Sequence, residues 1–323
     1  RLIDKMKIKR HLHGCNYRRI CWRYPEVGAR DVVIIGAGPA GIATAIQLKR
    51  HGIEPVILER EEIGGLLKNA NLVENYPGFP DGISGPNLIE VFKSQLANAG
   101  VAVSSERVLD LEHEDGAFLT KTNRRTLRSS IVVIASGTKP KRISEIRITD
   151  GIDDRIFYEV HPIRGIKNQK IAIIGAGDAA FDYALGLSHN NKVTILNRGE
   201  QDRCIQALRD RCMKSEAISY LTNVSVREVT GKGDRLLLSC LNGDNQKEHQ
   251  IYADYLVIAA GREPCLDFLD EKLERSFEYL VNTNKLYVIG DVKNKAFRQT
   301  AICVGDGVMA AMQICRKVRG EDS

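Results

Sequence analysis

The amino-acid sequence predicts an α/β protein made of two similar units, one inserted into the other, and three observations predict it. Two short apolar strands each run into a glycine-rich turn and then a helical stretch. They are Val32-Val33-Ile34-Ile35 into Gly36-Ala37-Gly38-Pro39-Ala40-Gly41, and Ile171-Ala172-Ile173-Ile174 into Gly175-Ala176-Gly177-Asp178-Ala179-Ala180. A second pair of matching segments lies downstream, one after each turn: Ile131-Val132-Val133-Ile134-Ala135 before Gly137 and Pro140, and Leu256-Val257-Ile258-Ala259-Ala260 before Gly261 and Pro264. Finally, a late strand, Leu286-Tyr287-Val288-Ile289, is followed by Gly290-Asp291 and a helix rich in small residues, which reads as a return of the chain to its first unit.

The glycine turns carry the chemistry. In a strand–GxGxx(G/A)–helix unit the first glycine permits a tight turn, the second lets a pyrophosphate approach the backbone, and the third small residue lets the helix pack on the strand. The exposed N–H groups and the helix dipole then hold the phosphates. Two such turns predict two Rossmann-like dinucleotide-binding domains in three layers, and two dinucleotides in one chain imply a hydride passed between them. The expected division is a basic N-terminal extension over 1–30, a first domain over 31–142 and 264–323, and a second over 143–263 inserted into it.

Taken in order, the leader holds nine Lys/Arg and two Asp/Glu within residues 1–30, while the remaining 38 basic and 39 acidic residues nearly cancel. The formal charge of +6 therefore belongs to the leader and is no nucleic-acid signature of the body. The leader lacks the apolar core of a secretory signal. Its interleaved Tyr17, Arg18, Arg19, Trp22, Arg23 and Tyr24 suit RNA or an acidic protein, or form a loosely docked extension. Nucleic acid is not expected as a partner. No apolar run nears the ~18 residues of a membrane span, and a cytoplasmic protein is expected.

The strand after each turn separates the two sites. Val56-Ile57-Leu58 ends in Glu59, an acceptor where a ribose diol needs one. Val193-Thr194-Ile195-Leu196 ends in Asn197-Arg198, with Arg203 close behind, so a cation replaces the carboxylate. That pattern suits a 2′-phosphate, hence NADPH over NADH, because guanidinium–phosphate bonding is charge-assisted. The alternative for Arg198 is a solvated arginine after a strand.

Eight cysteines stand at 15, 21, 204, 212, 240, 265, 303 and 315, none in a C-x-x-C pair. Neither a local dithiol centre nor a usual zinc or iron–sulfur ligand set follows, and no metal is expected. Cys303 and Cys315 read as small core residues.

From residue 30 onward the chain resembles the low-molecular-weight thioredoxin-reductase family of flavoproteins. The matching stretches include GAGPAG at 36–41, Ile63-Gly64-Gly65-Leu66, Glu74-Asn75-Tyr76-Pro77-Gly78-Phe79-Pro80, GAGDAA at 175–180, Gly290-Asp291-Val292 and Arg298-Gln299-Thr300-Ala301. The resemblance implies FAD on the first turn, NADPH on the second with NADH as an alternative donor, and a homodimer whose second domain rotates against the first. For FAD it implies Gly36, Gly38, Pro39, Ala40 and Gly41 at the phosphates, Glu59 at the adenosine ribose and Asp291 at a ribitol hydroxyl. It sets Arg298, Gln299 and Thr300 along the pyrimidine side of the flavin ring, with Gly64, Gly65, Leu66 and Asn75 beside it and Val108 and Gly137 as further contacts. A helix N-terminus there would stabilise the negative charge of the reduced ring. Asp291 has an alternative role as N-cap of the last helix. For NADP it implies Gly175, Gly177, Asp178, Ala179, Asn197, Arg198, Arg203 and Gly261.

One departure matters most. The family's dithiol precedes the second glycine turn, and the corresponding stretch here, Ile156-Phe157-Tyr158-Glu159-Val160-His161-Pro162-Ile163-Arg164, has no cysteine. This segment is more similar to thioredoxin-reductase-like ferredoxin–NADP reductases. His161 is a candidate for hydrogen-bonding the flavin or relaying a proton, or is a turn residue before proline. The expectation is an FAD-dependent NAD(P)H oxidoreductase with a non-thiol acceptor, either an electron-acceptor protein such as ferredoxin or a small oxidant such as a quinone. The alternatives are a thioredoxin or disulfide reductase using cysteines from elsewhere, a peroxide-producing oxidase, and a nucleotide-sensing flavoprotein without turnover.

Overall fold

The computed structural model describes residues 32–243 and 247–321, so the leader and the expectations attached to it lie outside the described residues. The first glycine turn joins β1 (Val32–Ile35) to α1 (Pro39–Arg50). Next come β2 (Val56–Glu59), α2 (Gly85–Asn98), β3 (Val103–Ser105), a meander of β4 (Val108–Glu114), β5 (Ala117–Thr122) and β6 (Thr126–Ser129), then β7 (Ile131–Ile134) and β8 (Thr138–Pro140). The following part holds β9 (Arg147–Ile148), β10 (Ile156–Phe157), β11 (Lys170–Ile174), α3 (Asp178–Ser188), β12 (Lys192–Leu196), α4 (Gln206–Met213) and β13 (Ile218–Leu221). It continues with β14 (Val224–Lys232), β15 (Arg235–Asn242), β16 (Glu248–Ala253), β17 (Tyr255–Ile258) and β18 (Arg262–Pro264), and the chain ends in α5 (Glu271–Asn282), β19 (Leu286–Val288) and α6 (Thr300–Val318).

Two five-stranded parallel sheets result, in the orders β19-β7-β1-β2-β3 and β10-β17-β11-β12-β13. The continuous apolar run of β1 is fully buried because both faces of the sheet are covered. Val32 and Ile34 pack with α1, α2 and α6, whereas Val33 and Ile35 pack with the β4–β6 meander and α5. The second sheet repeats the plan: Ile171 and Ile173 face α3, and Ala172 faces the antiparallel β14–β16. These three layers are the expected fold class. β19 pairs in parallel with β7, so the chain does return to the first sheet after leaving it. The two downstream echoes prove to be partners, since β8 and β18 form an antiparallel ribbon with Lys139 opposite Glu263. Prolines sit at the ends of this two-stranded ribbon, where a missing N–H is tolerated.

Helices α1 and α6 cross closely. Gly307 allows it, because a Cβ there would stand 2.3 Å from the Ala40 carbonyl oxygen, and the Thr44 hydroxyl donates to both Ala40 O and Gly307 O. Gly305, two residues earlier, faces open space. Gly307→Ala should therefore destabilise the protein by about 1–3 kcal/mol through overpacking. Gly305→Ala should be neutral or stabilising by up to about 1 kcal/mol through helix propensity. Chemical denaturation of both variants checks the contrast, and equal effects would contradict the crossing.

Candidate functional site

A cavity of about 1010 Å³ opens between the two sheets, and both glycine turns contribute to its wall. Gly36, Gly38, Pro39 and Ala40 line it from the first turn, Asp178 and Ala179 from the second. The first turn owes its shape to its glycines. Gly36 has φ +106° and a Cβ there would meet the Ala135 carbonyl oxygen at 2.4 Å, while a Cβ on Gly38 would meet nothing. The empty space in front of Gly38 is where a pyrophosphate would approach. Gly41 lies behind the wall, within 1.9 Å of Gly36 O for a hypothetical Cβ, so its part is helix packing.

Glu59 stands at the C-terminal end of β2, in the cavity wall. Its Oε2 accepts the Ala37 N–H at 2.7 Å and its Oε1 the Glu61 N–H at 3.0 Å. Those bonds aim the carboxylate and leave lone pairs for a diol. Gly65, Leu66, Asn75, Val108, Gly137, Asp291, Arg298, Gln299 and Thr300 all line the same cavity. Gly64 does not. It takes φ +108° against the Ile89 side chain, and its N–H donates to Ala37 O, so it shapes the turn from behind.

At the far end Asn75 Nδ2 donates to Gln299 Oε1 at 2.8 Å, across 224 positions of sequence. Gln299 immediately precedes α6, as expected for a helix N-terminus aimed at a ring. Asp291 lies on a 3₁₀ turn, Gly290–Val292, and does not cap α6, which removes its alternative role. The Arg298 guanidinium donates from Nη2 to Arg262 O at 3.5 Å, but its Nε is buried with no protein acceptor among the described residues. A buried, unanswered N–H in a cavity wall calls for a ligand acceptor. Together, the glycine cradle, the diol acceptor and this orphan donor fit FAD.

The second site is more open. Gly175 has φ +132° and the same 2.4 Å approach, here to Ala259 O, and a Cβ on Gly177 would meet nothing. Of the residues expected at this site only Asp178 and Ala179, at the start of α3, reach the shared cavity; Gly175, Gly177, Asn197, Arg198, Arg203 and Gly261 lie outside its wall. Asn197 is buried and its Nδ2 donates to Gln201 O and the Tyr220 hydroxyl, so its side chain braces the loop. The Arg203 N–H donates to Ala176 O, which draws that loop across the glycine turn. Arg198 is 80% exposed and its nearest counter-ion is Glu145 at 3.4 Å.

Several wall residues had no motif to announce them. Glu159, Pro162, Asp182, Tyr183, Arg262 and Cys265 all line the cavity. Arg262 donates to Thr138 Oγ1 and O at 2.9 Å and to Glu159 Oε1 at 3.3 Å. Burial pushes the Tyr183 phenol up to about 12. His161 is not in the wall; its ring stands 3.7 Å from Glu62 and its N–H donates to Asn69 Oδ1. Cys303, expected only as a core residue, also reaches the cavity, where its thiol donates to Asp291 Oδ1 at 3.2 Å. The six described cysteines are all free, and no His/Cys/Asp/Glu cluster among the described residues could hold a metal. No described helix is long and apolar enough to cross a membrane.

Burial raises the Cys212 and Cys240 thiols to about 11, and burial together with the Asp291 carboxylate pushes Cys303 above its ordinary range. The thiolate is the reactive form, and a raised pKa keeps these groups protonated until pH climbs past it. Native protein treated with iodoacetamide at pH 8 should leave all three unmodified by mass spectrometry, whereas urea-unfolded protein should label fully. Rapid native labelling would contradict their protonated, enclosed state.

A family model for pyridine nucleotide-disulphide oxidoreductases matches residues 30–307. The thioredoxin reductase of Borreliella burgdorferi is 29% identical over 298 residues, covering 88% of this chain and 90% of that protein. Thioredoxin reductase 2 of Arabidopsis thaliana is 30% identical and covers 89% and 82%. Among solved structures, Lactococcus lactis thioredoxin reductase in its FR conformation superposes with a TM-score of 0.80 at 27% identity, over 90% of this chain and 99% of that one.

Proposed function

The chain belongs to the pyridine nucleotide-disulphide oxidoreductase family, as a thioredoxin-reductase-like, FAD-dependent NAD(P)H oxidoreductase, and from that premise we propose that its electrons leave for an acceptor other than a thiol. When bound, NADPH supplies a hydride, and FAD receives it and supplies electrons to the acceptor. The acceptor we favour is an electron-transfer protein such as ferredoxin, or a small oxidant such as a quinone. We further propose a cytoplasmic homodimer, with the domain division 31–142 plus 264–323 and 143–263.

The observation that carries the reading is the stretch 156–164. It enters the cavity wall with Tyr158, Glu159 and Pro162 and brings no sulfur. A carboxylate cannot attack a disulfide, and thiol–disulfide exchange requires a thiolate. The two cavity cysteines are separately engaged: Cys303 donates to Asp291, and Cys265 Sγ accepts from Arg60 Nη1 at 3.3 Å. In this reading the first turn and Glu59 fix the adenosine and pyrophosphate of FAD. Arg298 Nε and the Asn75–Gln299 pair orient the ring edge, and the start of α3 admits the nicotinamide into the shared cavity. The protein contributes orientation and electrostatics.

One observation favours a second reading. The relatives bear the name thioredoxin reductase, so a disulfide acceptor served by cysteines elsewhere in the chain, Cys15 and Cys21 above all, is the rival.

Anaerobic NADPH should bleach the visible flavin band, and turnover with ferredoxin or a quinone should survive thiol alkylation and the Cys15→Ser/Cys21→Ser change. Loss of activity in that double variant would transfer the assignment to a disulfide reductase. Arg198→Ala should raise the NADPH KM about tenfold, the worth of a charge-assisted phosphate contact, and leave the NADH KM within about twofold. Steady-state kinetics with both donors decide it, and equal changes would remove Arg198 from the phosphate site.

A further inference from the structure

The segment 69–74 of the first unit is gripped at Asn69, Ala70, Asn71 and Glu74 by three separate pieces of the second. The Asn69 side chain is buried; its Nδ2 donates to Glu159 Oε2 at 3.2 Å and its Oδ1 accepts the His161 N–H at 3.0 Å. Arg164 Nη2 donates to the carbonyls of Asn69 and Ala70 at 3.2 and 3.0 Å. On α3, Asp182 Oδ2 accepts the Asn71 N–H at 2.8 Å, and Gly186 lets the helix backbone approach, since a Cβ there would lie 3.1 Å from Asn71 Oδ1. From α4, Arg211 closes a two-point fork on Glu74, both N···O distances 2.7 Å. The next residue, Asn75, is the one bonded to Gln299 at the start of α6.

We propose that Arg164, Asp182 and Arg211 are positioning residues that clasp the segment 69–74 and hold the two units in the arrangement where both glycine turns open into one cavity. This rests on the hydride-transfer reading above, which needs that shared cavity. The grip is polar throughout and involves backbone carbonyls and N–H groups, so it fixes orientation without a large apolar interface, and such contacts can open and re-form. Its charges are not uniform in exposure. Arg211 and Glu74 are both nearly half exposed, so salt screens them. Asp182 is buried deeply enough that its carboxyl lies above the usual carboxylate range, with Arg164 opposing that shift and Glu74 adding to it.

The segment also reaches the flavin side of the cavity through Asn75. A displaced 69–74 segment would therefore loosen the Asn75–Gln299 bond and widen the gap between the start of α3 and the first turn together. The clasp is thus a device that couples the orientation of the second unit to the groups beside the ring. It predicts an effect on the transfer step at saturating NADPH, and no effect on the affinity of the nucleotide's distal half, which Arg198 and its neighbours would bind.

The test uses the FAD-loaded full chain and two readouts. Small-angle scattering reports the relative placement of the units without any turnover, and stopped-flow absorbance reports single-turnover flavin reduction by NADPH. Arg211→Ala and Glu74→Gln should each expand the scattering envelope and slow reduction about fivefold at saturating NADPH, the shift that loss of one exposed ion pair allows. The charge exchange Glu74→Arg/Arg211→Glu should restore both readouts, which a merely destabilised fold would not do. High ionic strength should mimic the single variants in the wild type and leave Arg211→Ala unchanged. Variants that scatter and reduce like the wild type, or a double exchange that restores neither readout, would overturn the clasp. If the wild-type flavin is not reduced by NADPH at all, the hydride reading fails while the scattering still decides whether the clasp sets the arrangement.

Discussion

In each unit a glycine is pressed against the carbonyl that ends the neighbouring strand, and the rest of the molecule is arranged around that contact. Gly36 and Gly175 both leave room for no side chain, since a Cβ on either would stand 2.4 Å from Ala135 O or Ala259 O. The hydrogen bonds around them match as well. Gly36 N–H donates to Leu58 O and Gly175 N–H to Leu196 O, and the Ala135 and Ala259 N–H groups donate to Ile35 O and Ile174 O. Three parallel strands are thereby locked to one turn, and the strand that supplied the carbonyl must leave the sheet at once. It leaves through β8 in one unit and β18 in the other, and these pair with each other. The same steric demand that builds a phosphate cradle thus also builds the double connection between the units.

Much of this was legible in the sequence because it is local. A buried strand, a glycine turn and a helix start occupy consecutive residues, so their spacing alone places Glu59 at the end of β2, while the family resemblance sets Gln299 before α6. The return strand was legible too, slightly shortened to Leu286–Val288. What the sequence did not disclose depends on residues far apart in the chain. Glu74 and Arg211 are 137 positions apart, Asn75 and Gln299 224, and neither pair lies in a repeated or periodic pattern. The antiparallel meanders escaped for another reason. Their strands alternate buried and exposed positions imperfectly, as in β14, and their role is to cover one sheet face, a task any apolar layer can perform.

The two units diverge at the end of their second strand. In the first unit the residue there is Glu59, which is pinned by the N–H of Ala37 inside the glycine turn. In the second it is Asn197, which turns inward to Tyr220 and leaves the outward position to Arg198. A carboxylate held against the turn offers acceptors to a diol beside the phosphates. An amide that braces the loop from within offers the ligand nothing directly, but it fixes the backbone from which the arginine projects. Glu59 thus lies in the wall of the cavity, whereas Arg198 lies outside it and is 80% exposed.

The cysteine-free connecting stretch brings a carboxylate to the cavity, and that carboxylate is best understood through its partners. Glu159 enters the cavity wall with Oε1 toward Arg262 and Oε2 toward Asn69, so both oxygens are engaged. Arg262 is itself fixed to Thr138 on the opposite strand of the connecting ribbon, and its carbonyl accepts from Arg298. A partly buried carboxylate without a cation would be costly; this one sits between a guanidinium and an amide, at 24% side-chain exposure. Its charge is therefore spent on structure: one bond into the ribbon, one into the first unit, from a residue that belongs to the second. A thiol at this place could accept neither bond well, because sulfur is a weak acceptor. Through these two bonds Glu159 ties the second unit to the first at the wall of the cavity that both units line.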